Sequence, residues 1–156
     1  MKVILLFSVV LLTACIFVTA VNAIAARSIE SWLYRAKDAG NPAQVAEFLT
    51  NYKQALYDSD RIERRYTSLF KYPGTYMPTY IRAIDGLIAR AKDLSVQDAT
   101  QTSYQMGLVN LEKDLGDIEP AAWSVWFASG GWIAAWGLFI TLVSSLIFGL
   151  CWLLEM

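Results

Sequence analysis

The sequence predicts an all-α membrane protein in which two transmembrane helices flank a small helical bundle. Two long uncharged runs carry this prediction, Val3–Ala26 and Trp132–Leu154. At about 1.5 Å per residue, each is long enough to cross a hydrocarbon core of roughly 30 Å. Between them, apolar residues recur at helical spacing and no useful strand alternation occurs. The predicted segments are transmembrane helix 1 (1–26), the bundle (27–119), an interfacial amphipathic helix with a Gly-Gly break (120–131) and transmembrane helix 2 (132–154).

Composition argues against several classes of function. The 156 residues carry a net charge of −1 with both signs interspersed, so no basic stripe indicates nucleic-acid binding. Histidine is absent, which removes the commonest general base and a frequent metal ligand. The acidic groups lack the spacing of an EF-hand, and no cleft signal suggests paired glycosidase carboxylates. We therefore predict a protein that is not an enzyme and that has no metal site and no cofactor.

The first apolar run admits three interpretations. Lys2, the apolar stretch and a small-residue site ending at Ala23 resemble a secretory signal. The tetrapeptide LTAC, ending at Cys15, resembles a lipobox in which the cysteine would be acylated. The residues after Cys15 stay apolar, however, unlike the polar tether expected after a lipidated cysteine. The favoured interpretation is an uncleaved signal-anchor.

Small and polar side chains in each apolar run share one helical face. In a membrane such a face usually packs against another helix, because small residues allow close approach. The predicted face of the first run contains Ser8, Cys15, Thr19 and Asn22. The second run repeats a small residue at every fourth position: Gly137, Thr141, Ser145 and Gly149. Pairing of the two faces with each other and packing against another subunit both remain open.

Apolar spacing continues from the first run into the central segment, which predicts that its helix extends past the membrane. The stripe residues of this extension are Ile29, Trp32, Leu33 and Ala36. Asn41 and Pro42 have the cap and first-turn chemistry of a second helix. Its predicted stripe is Val45, Phe48, Leu49, Tyr52 and Leu56. After an interruption at 58–60, a third helix is marked by Ile62, Tyr66, Leu69 and Phe70.

Turn and capping residues predict two more bundle helices. Proline and glycine at 71–74 indicate a turn. The following helix has the stripe Ile81, Ile84, Leu87, Ile88 and Ala91. Ser95 and Asp98 resemble a capping box and so predict the start of the next helix. Its stripe is Tyr104, Leu108, Leu111 and Leu115. These segments together predict a small antiparallel bundle.

Two aromatic clusters are candidate interaction surfaces. Tyrosine is enriched in binding hot spots, so one candidate is a partner-binding tip formed by Tyr72, Pro73, Tyr76, Pro78 and Tyr80. A loop packed by its own rings is the alternative. Tryptophan favours the lipid headgroup level, which predicts membrane-interface anchors at Trp123, Trp126, Phe127, Trp132, Trp136 and Trp152. The short helix expected over 121–129 would lie in the interface, or its rings would dock on a neighbouring protein.

These features favour a non-catalytic accessory or structural subunit of a larger membrane complex. Its expected partners are other integral membrane subunits and the lipid bilayer, with no nucleic acid; a homo-oligomer is a further option. The expected localisation is a two-pass membrane protein with both termini cytoplasmic and the bundle extracytoplasmic. The alternative is an extracytoplasmic ligand-sensing or adaptor module. Because only Glu155 and Met156 follow the second run, such a module would signal through a partner.

Overall fold

The computed structural model describes residues 2–59, 76–126, 131, 136–137 and 139–144, with side chains omitted at 2–8 and 123. Within these ranges every regular element is a helix, which confirms the all-α class. The helices are α1 (Lys2–Lys37), α2 (Pro42–Asp58), α3 (Met77–Ser95), α4 (Thr102–Gly116) and α5 (Ala122–Trp126). Residues 136–137 and 139–144 of the second apolar run are also helical.

The first helix passes without a break from the first apolar run into the bundle, as its apolar spacing predicts. Ile29, Leu33 and Ala36 are all buried. Among the described residues, α1 is the one helix that is long and apolar enough to cross a membrane, over Val9–Lys37. The predicted second span lies largely outside the described residues, and the two-span arrangement therefore stays a prediction.

The second helix begins where the sequence predicts. Asn41 has an extended backbone, and its Oδ1 accepts a hydrogen bond of 2.9 Å from the Ala43 amide. Pro42 occupies the first helical position, where its missing N–H costs nothing. The helix ends at Asp58. Its buried stripe contains Val45, Leu49, Tyr52 and Leu56, with Phe48 half-buried.

Helices α3 and α4 carry the apolar stripes predicted for 81–91 and 104–115 on their more buried faces. The capping box predicted between these two helices is wrong. Ser95 is the last residue of α3, and its hydroxyl donates to the Lys92 carbonyl at 2.6 Å. The Asp98 carboxylate accepts hydrogen bonds from the amide and hydroxyl of Thr100. Thr102 then opens α4 without a side-chain cap. Both polar side chains form hydrogen bonds with groups close to them in sequence, and such local bonds compete with helix capping.

The core lies where α1, α2 and α3 meet, and α4 contributes less to it. The largest fully buried side chains from these three helices are Leu33, Leu49, Tyr52, Leu56, Met77, Ile84 and Leu87. On α4, Leu111 and Leu115 are buried, whereas Met106 and Val109 are both 64% exposed. The predicted third helix at 62–70 and the turn at 71–74 lie outside the described residues.

Candidate functional site

The first half of α1, residues 9–25, carries its bulky apolar side chains outward. Ile16, Phe17 and Ile24 are 52%, 68% and 69% exposed. Its less exposed face consists mainly of small and polar residues: Leu12, Cys15, Thr19, Asn22 and Ala23. In the second half of α1, residues 26–37, the same face becomes apolar and buried at Ala26, Ile29, Leu33 and Ala36. The apolar side chains of α1 are therefore exposed in its first half and buried in its second half, and we call this change the inverted surface of α1.

Polar side chains in the first half of α1 are bonded within the helix. The hydroxyls of Thr13 and Thr19 and the amide of Asn22 each donate to the carbonyl oxygen four residues earlier, at 2.8, 2.8 and 2.9 Å. Such bonds satisfy a polar group without water or a second helix. This arrangement is compatible with an apolar surrounding, in which every polar group must find a partner inside the protein.

Among the described residues, one pair from the two predicted helix-packing faces lies close together, Cys15 and Gly137. A Cβ atom built on Gly137 would lie 3.4 Å from the Sγ of Cys15, which is ordinary contact distance. One turn further along, Thr141 is only 7% exposed, and its hydroxyl donates to the Gly137 carbonyl at 2.7 Å. Thr19 and Asn22 lie on the same half-buried face of α1 as Cys15. The Ser8 side chain, Ser145 and Gly149 lie outside the described residues.

Two tyrosines from different helices hold the segment between α4 and α5. The Tyr52 and Tyr80 hydroxyl oxygens lie 2.9 Å apart. Tyr80 donates to the Glu119 carbonyl at 2.7 Å, and the Ala121 amide donates to the Tyr52 hydroxyl at 3.2 Å. We call these two side chains and two backbone groups the tyrosine clasp. It joins α2, α3 and the linker at residues 117–121.

The donors and acceptors of the tyrosine clasp can be assigned from its geometry. A tyrosine hydroxyl has one proton to donate. Because Tyr80 gives its proton to the Glu119 carbonyl, Tyr52 must donate to Tyr80. The Tyr52 oxygen in turn accepts from the Ala121 amide. Each hydroxyl thus donates once and accepts once.

Burial keeps both tyrosines of the clasp neutral. Loss of solvation raises the pKa of Tyr52 above its ordinary value of 10.0, against smaller opposing effects of its hydrogen bonds to Tyr80 and Ala121. Burial is also the main cause that raises the pKa of Tyr80, and the contact with Tyr52 raises it further. Both hydroxyls are therefore neutral hydrogen-bonding groups near neutral pH.

Lys37, in the last turn of α1, holds the same linker from a third direction. Its Nζ donates to the carbonyl of Gly116 at 3.0 Å and to that of Ile118 at 2.7 Å. Gly116 is the last residue of α4, so the ammonium group lies at a helix carboxyl end, where positive charge is favoured. The linker is consequently held by side chains from α1, α2 and α3.

Of the predicted partner-binding tip, the structure describes Tyr76, Pro78 and Tyr80. Tyr76 is 37% exposed and Pro78 is exposed, whereas Tyr80 belongs to the tyrosine clasp. Tyr72 and Pro73 lie outside the described residues. Beside Pro78 an open groove of about 360 Å³ is lined by Tyr57, Met77, Pro78, Ile81, Arg82 and Asp85. Its polar lining carries one group of each charge, and Asp85 is paired with Lys53 at 2.6 Å.

The described aromatic anchors have different surroundings. Trp126 is half-buried, and a Cβ on Gly131 would lie 2.7 Å from its ring, so the indole lies directly against the glycine backbone. Trp136 is 56% exposed and meets Phe139 edge-on, with ring centres 5.8 Å apart. The Trp123 side chain, Phe127, Trp132 and Trp152 lie outside the described residues.

Sequence reasoning missed the clasp and the role of Lys37. One signal was present, because Tyr52 falls within the apolar stripe of α2 and a buried tyrosine hydroxyl usually needs a partner. The partners come from positions 28 and 69 residues away, which no local pattern connects. Within the described residues, no group of three or more His, Cys, Asp or Glu side chains is placed to hold a metal.

Comparisons with known proteins add no further assignment. No protein-family model matches the chain, and neither the curated proteins nor the solved structures contain a significant match to it.

Proposed function

We propose that this protein is a non-catalytic accessory subunit of a larger membrane complex, anchored by two membrane-spanning helices that carry the bundle outside the membrane. The inverted surface of α1 is the observation that carries this proposal. Bulky apolar residues face outward in the first half and inward in the second. Lipid favours apolar side chains on the outside of a helix, whereas water favours burying them. The change of side is therefore expected if lipid surrounds the first half and water surrounds the second.

The contact between Cys15 and Gly137 supports a hairpin of the two apolar runs within one chain. Small residues at the contact allow close approach, which drives helix association in a membrane where burial of apolar surface cannot. The bulky outer residues Phe17, Ile24 and Phe139 remain exposed. In the proposed complex, these outer residues face either lipid or the helices of larger subunits.

Disulfide trapping tests the proposed hairpin. In a Cys151→Ala background, Gly137→Cys should form an intramolecular disulfide with Cys15 under mild oxidation, because the two positions are in contact. Phe139→Cys is the matched control, since its side chain is 60% exposed and faces elsewhere. Thiol counting by mass spectrometry detects the product. Equal trapping at both positions would contradict the hairpin.

Native mass spectrometry after gentle detergent extraction tests the accessory function. We expect a large assembly with fixed companion proteins that are themselves integral membrane subunits. Phe17→Ala and Ile24→Ala should remove companions, while Cys15 should still be trapped in a disulfide when either change is combined with Gly137→Cys. A monomer or small homo-oligomer in native membranes would overturn the proposed function without affecting the hairpin.

The proposed topology places both termini in the cytoplasm and the bundle on the opposite side. Gln97 is exposed in the connection between α3 and α4. In a background without Cys15 and Cys151, Gln97→Cys should react with an impermeant maleimide applied outside intact cells. Labelling that appears only after permeabilisation would reverse the orientation.

The groove beside α2 and α3 favours a second candidate function, an extracytoplasmic sensing module. Its volume of about 360 Å³ falls in the range of small-molecule sites. Arg82 in its lining would favour an anionic ligand. A thermal-shift screen of small carboxylates and phosphates on the full chain, repeated with Arg82→Ala, separates the candidates: a stabilising ligand lost in the variant supports sensing, and no stabilising ligand argues against it.

A further inference from the structure

The linker at residues 117–121 is the covalent connection between the bundle and the second apolar run. It leaves α4 at Gly116 and enters α5, whose Ala122 and Val125 are fully buried in the core. Lys37, Tyr52 and Tyr80 bond its backbone from three other helices. This is a dense set of side-chain bonds for a segment without regular structure, and it fixes the direction in which the chain proceeds.

We propose that the tyrosine clasp is a latch that couples the α2–α3 interface to the position of the second apolar run. The two hydroxyls bridge α2 and α3 and bond the linker at the same time. A relative shift of α2 and α3 by about 1 Å takes such bonds beyond hydrogen-bonding distance. The linker is then released, and with it the contact between Cys15 and Gly137. This inference does not depend on the identity of a partner subunit.

Packed groups connect the clasp to Gly131, the residue before the second run. The Ala121 carbonyl accepts the Val125 amide at 2.8 Å in the first turn of α5. The Trp126 ring at the end of α5 lies against Gly131, where no other residue fits without displacement. Close-packed groups of this kind move together rather than deform. A change at the linker is therefore passed to Gly131, six residues before Gly137.

Amide hydrogen exchange of the full-length protein in detergent tests the latch. Tyr80→Phe removes the acceptor of Tyr52 and the donor to Glu119, but leaves the Tyr52 hydroxyl available to the Ala121 amide. Loss of these bonds should raise the opening population, and the exchange rate of the Ala121 amide, about tenfold. The Leu49 amide, inside α2, should exchange as in the wild type.

Tyr104→Phe is the matched control, because the Tyr104 hydroxyl bonds no other described residue. Its Ala121 exchange should equal that of the wild type. An unchanged Ala121 rate in Tyr80→Phe would overturn the latch. A parallel rise at Ala121 and Leu49 would also overturn it, since that result indicates general destabilisation.

Coupling between two sites is reciprocal, which gives a second test from the opposite end. Gly137→Leu places a bulky side chain against Cys15 and should displace the second run. If the clasp and the run are coupled, Ala121 exchange should accelerate severalfold in this variant. The exposed Phe139→Leu is its control. Wild-type Ala121 exchange in Gly137→Leu would limit the clasp to a local structural role and overturn the latch.

Discussion

Residues 9–25 and 26–37 of α1 belong to one unbroken helix, yet they place opposite chemistry on the same face. Phe17 is 68% exposed in the first half, whereas Leu33 is fully buried in the second. The inward face of the first half instead holds Cys15, Thr19 and Asn22. Apolarity alone therefore does not say which way a helix faces. In the proposed arrangement the surrounding solvent decides that, and the solvent changes from lipid to water near Ala26.

The largest expected effect comes from truncating one apolar residue in each half. Leu33→Ala should lower the free energy of unfolding of the bundle by about 3 kcal/mol, because it opens a cavity in the core. Phe17→Ala should change it by less than about 0.5 kcal/mol, since the ring contacts little of the chain. Denaturant titrations in micelles, followed by far-UV circular dichroism, measure both. Equal losses would remove the distinction between the halves.

Introducing a charge should have the opposite pattern, with a larger effect in the first half of α1 than in the second. Phe17→Asp should disfavour membrane insertion of the first half by about 3 kcal/mol, because the carboxylate replaces an apolar side chain that faces lipid in the proposed arrangement. Tyr34→Asp, at a residue that is 51% exposed in the second half, should leave insertion unchanged. Glycosylation mapping of insertion in microsomes provides the measurement. Normal insertion of both variants would contradict a lipid-facing first half.

Alkaline pH should affect the bundle but not the first half of α1. The pKa of Tyr52 is raised by burial above its unfolded value of 10.0, so the folded state holds a proton that the unfolded chain releases. The stabilisation is complete below about pH 10 and is lost as the pH rises further. Unfolding titrations from about pH 9 to about pH 12, on either side of the ordinary tyrosine pKa of about 10, should show this decline. In Tyr52→Phe the decline should be shallower.

Salt should give the smallest difference between the two regions. Arg90 and Asp114 form an ion pair of 2.5 Å between α3 and α4, with side chains 50% and 41% exposed. Removing such an exposed pair by Arg90→Ala should cost about 0.5 kcal/mol or less, and this difference should vanish in high salt. Residues 9–25 carry no charged side chain, so insertion of the first half should not respond. A cost that persists at high salt would indicate that Arg90 contributes through packing.

The sequence by itself determined the helices α1 to α4 and most of their buried faces. Asn41 and Pro42 marked the start of α2, because capping and proline geometry act between neighbouring residues. The stripe ending at Leu56 followed from helical periodicity. The same local reasoning failed at Ser95 and Asp98, because their side chains bond to Lys92 and Thr100 and do not cap a new helix.

Only the tertiary structure decided which distant groups meet. Tyr80 bonds Glu119 across 39 residues, and Lys37 bonds Ile118 across 81. The contact between Cys15 and Gly137 likewise joins the two apolar runs. Periodicity states which face of a helix is buried, but many residues elsewhere could satisfy a hydroxyl or an ammonium group. The choice among them is made by how the helices cross, because hydrogen bonds require distances that only one packing arrangement provides.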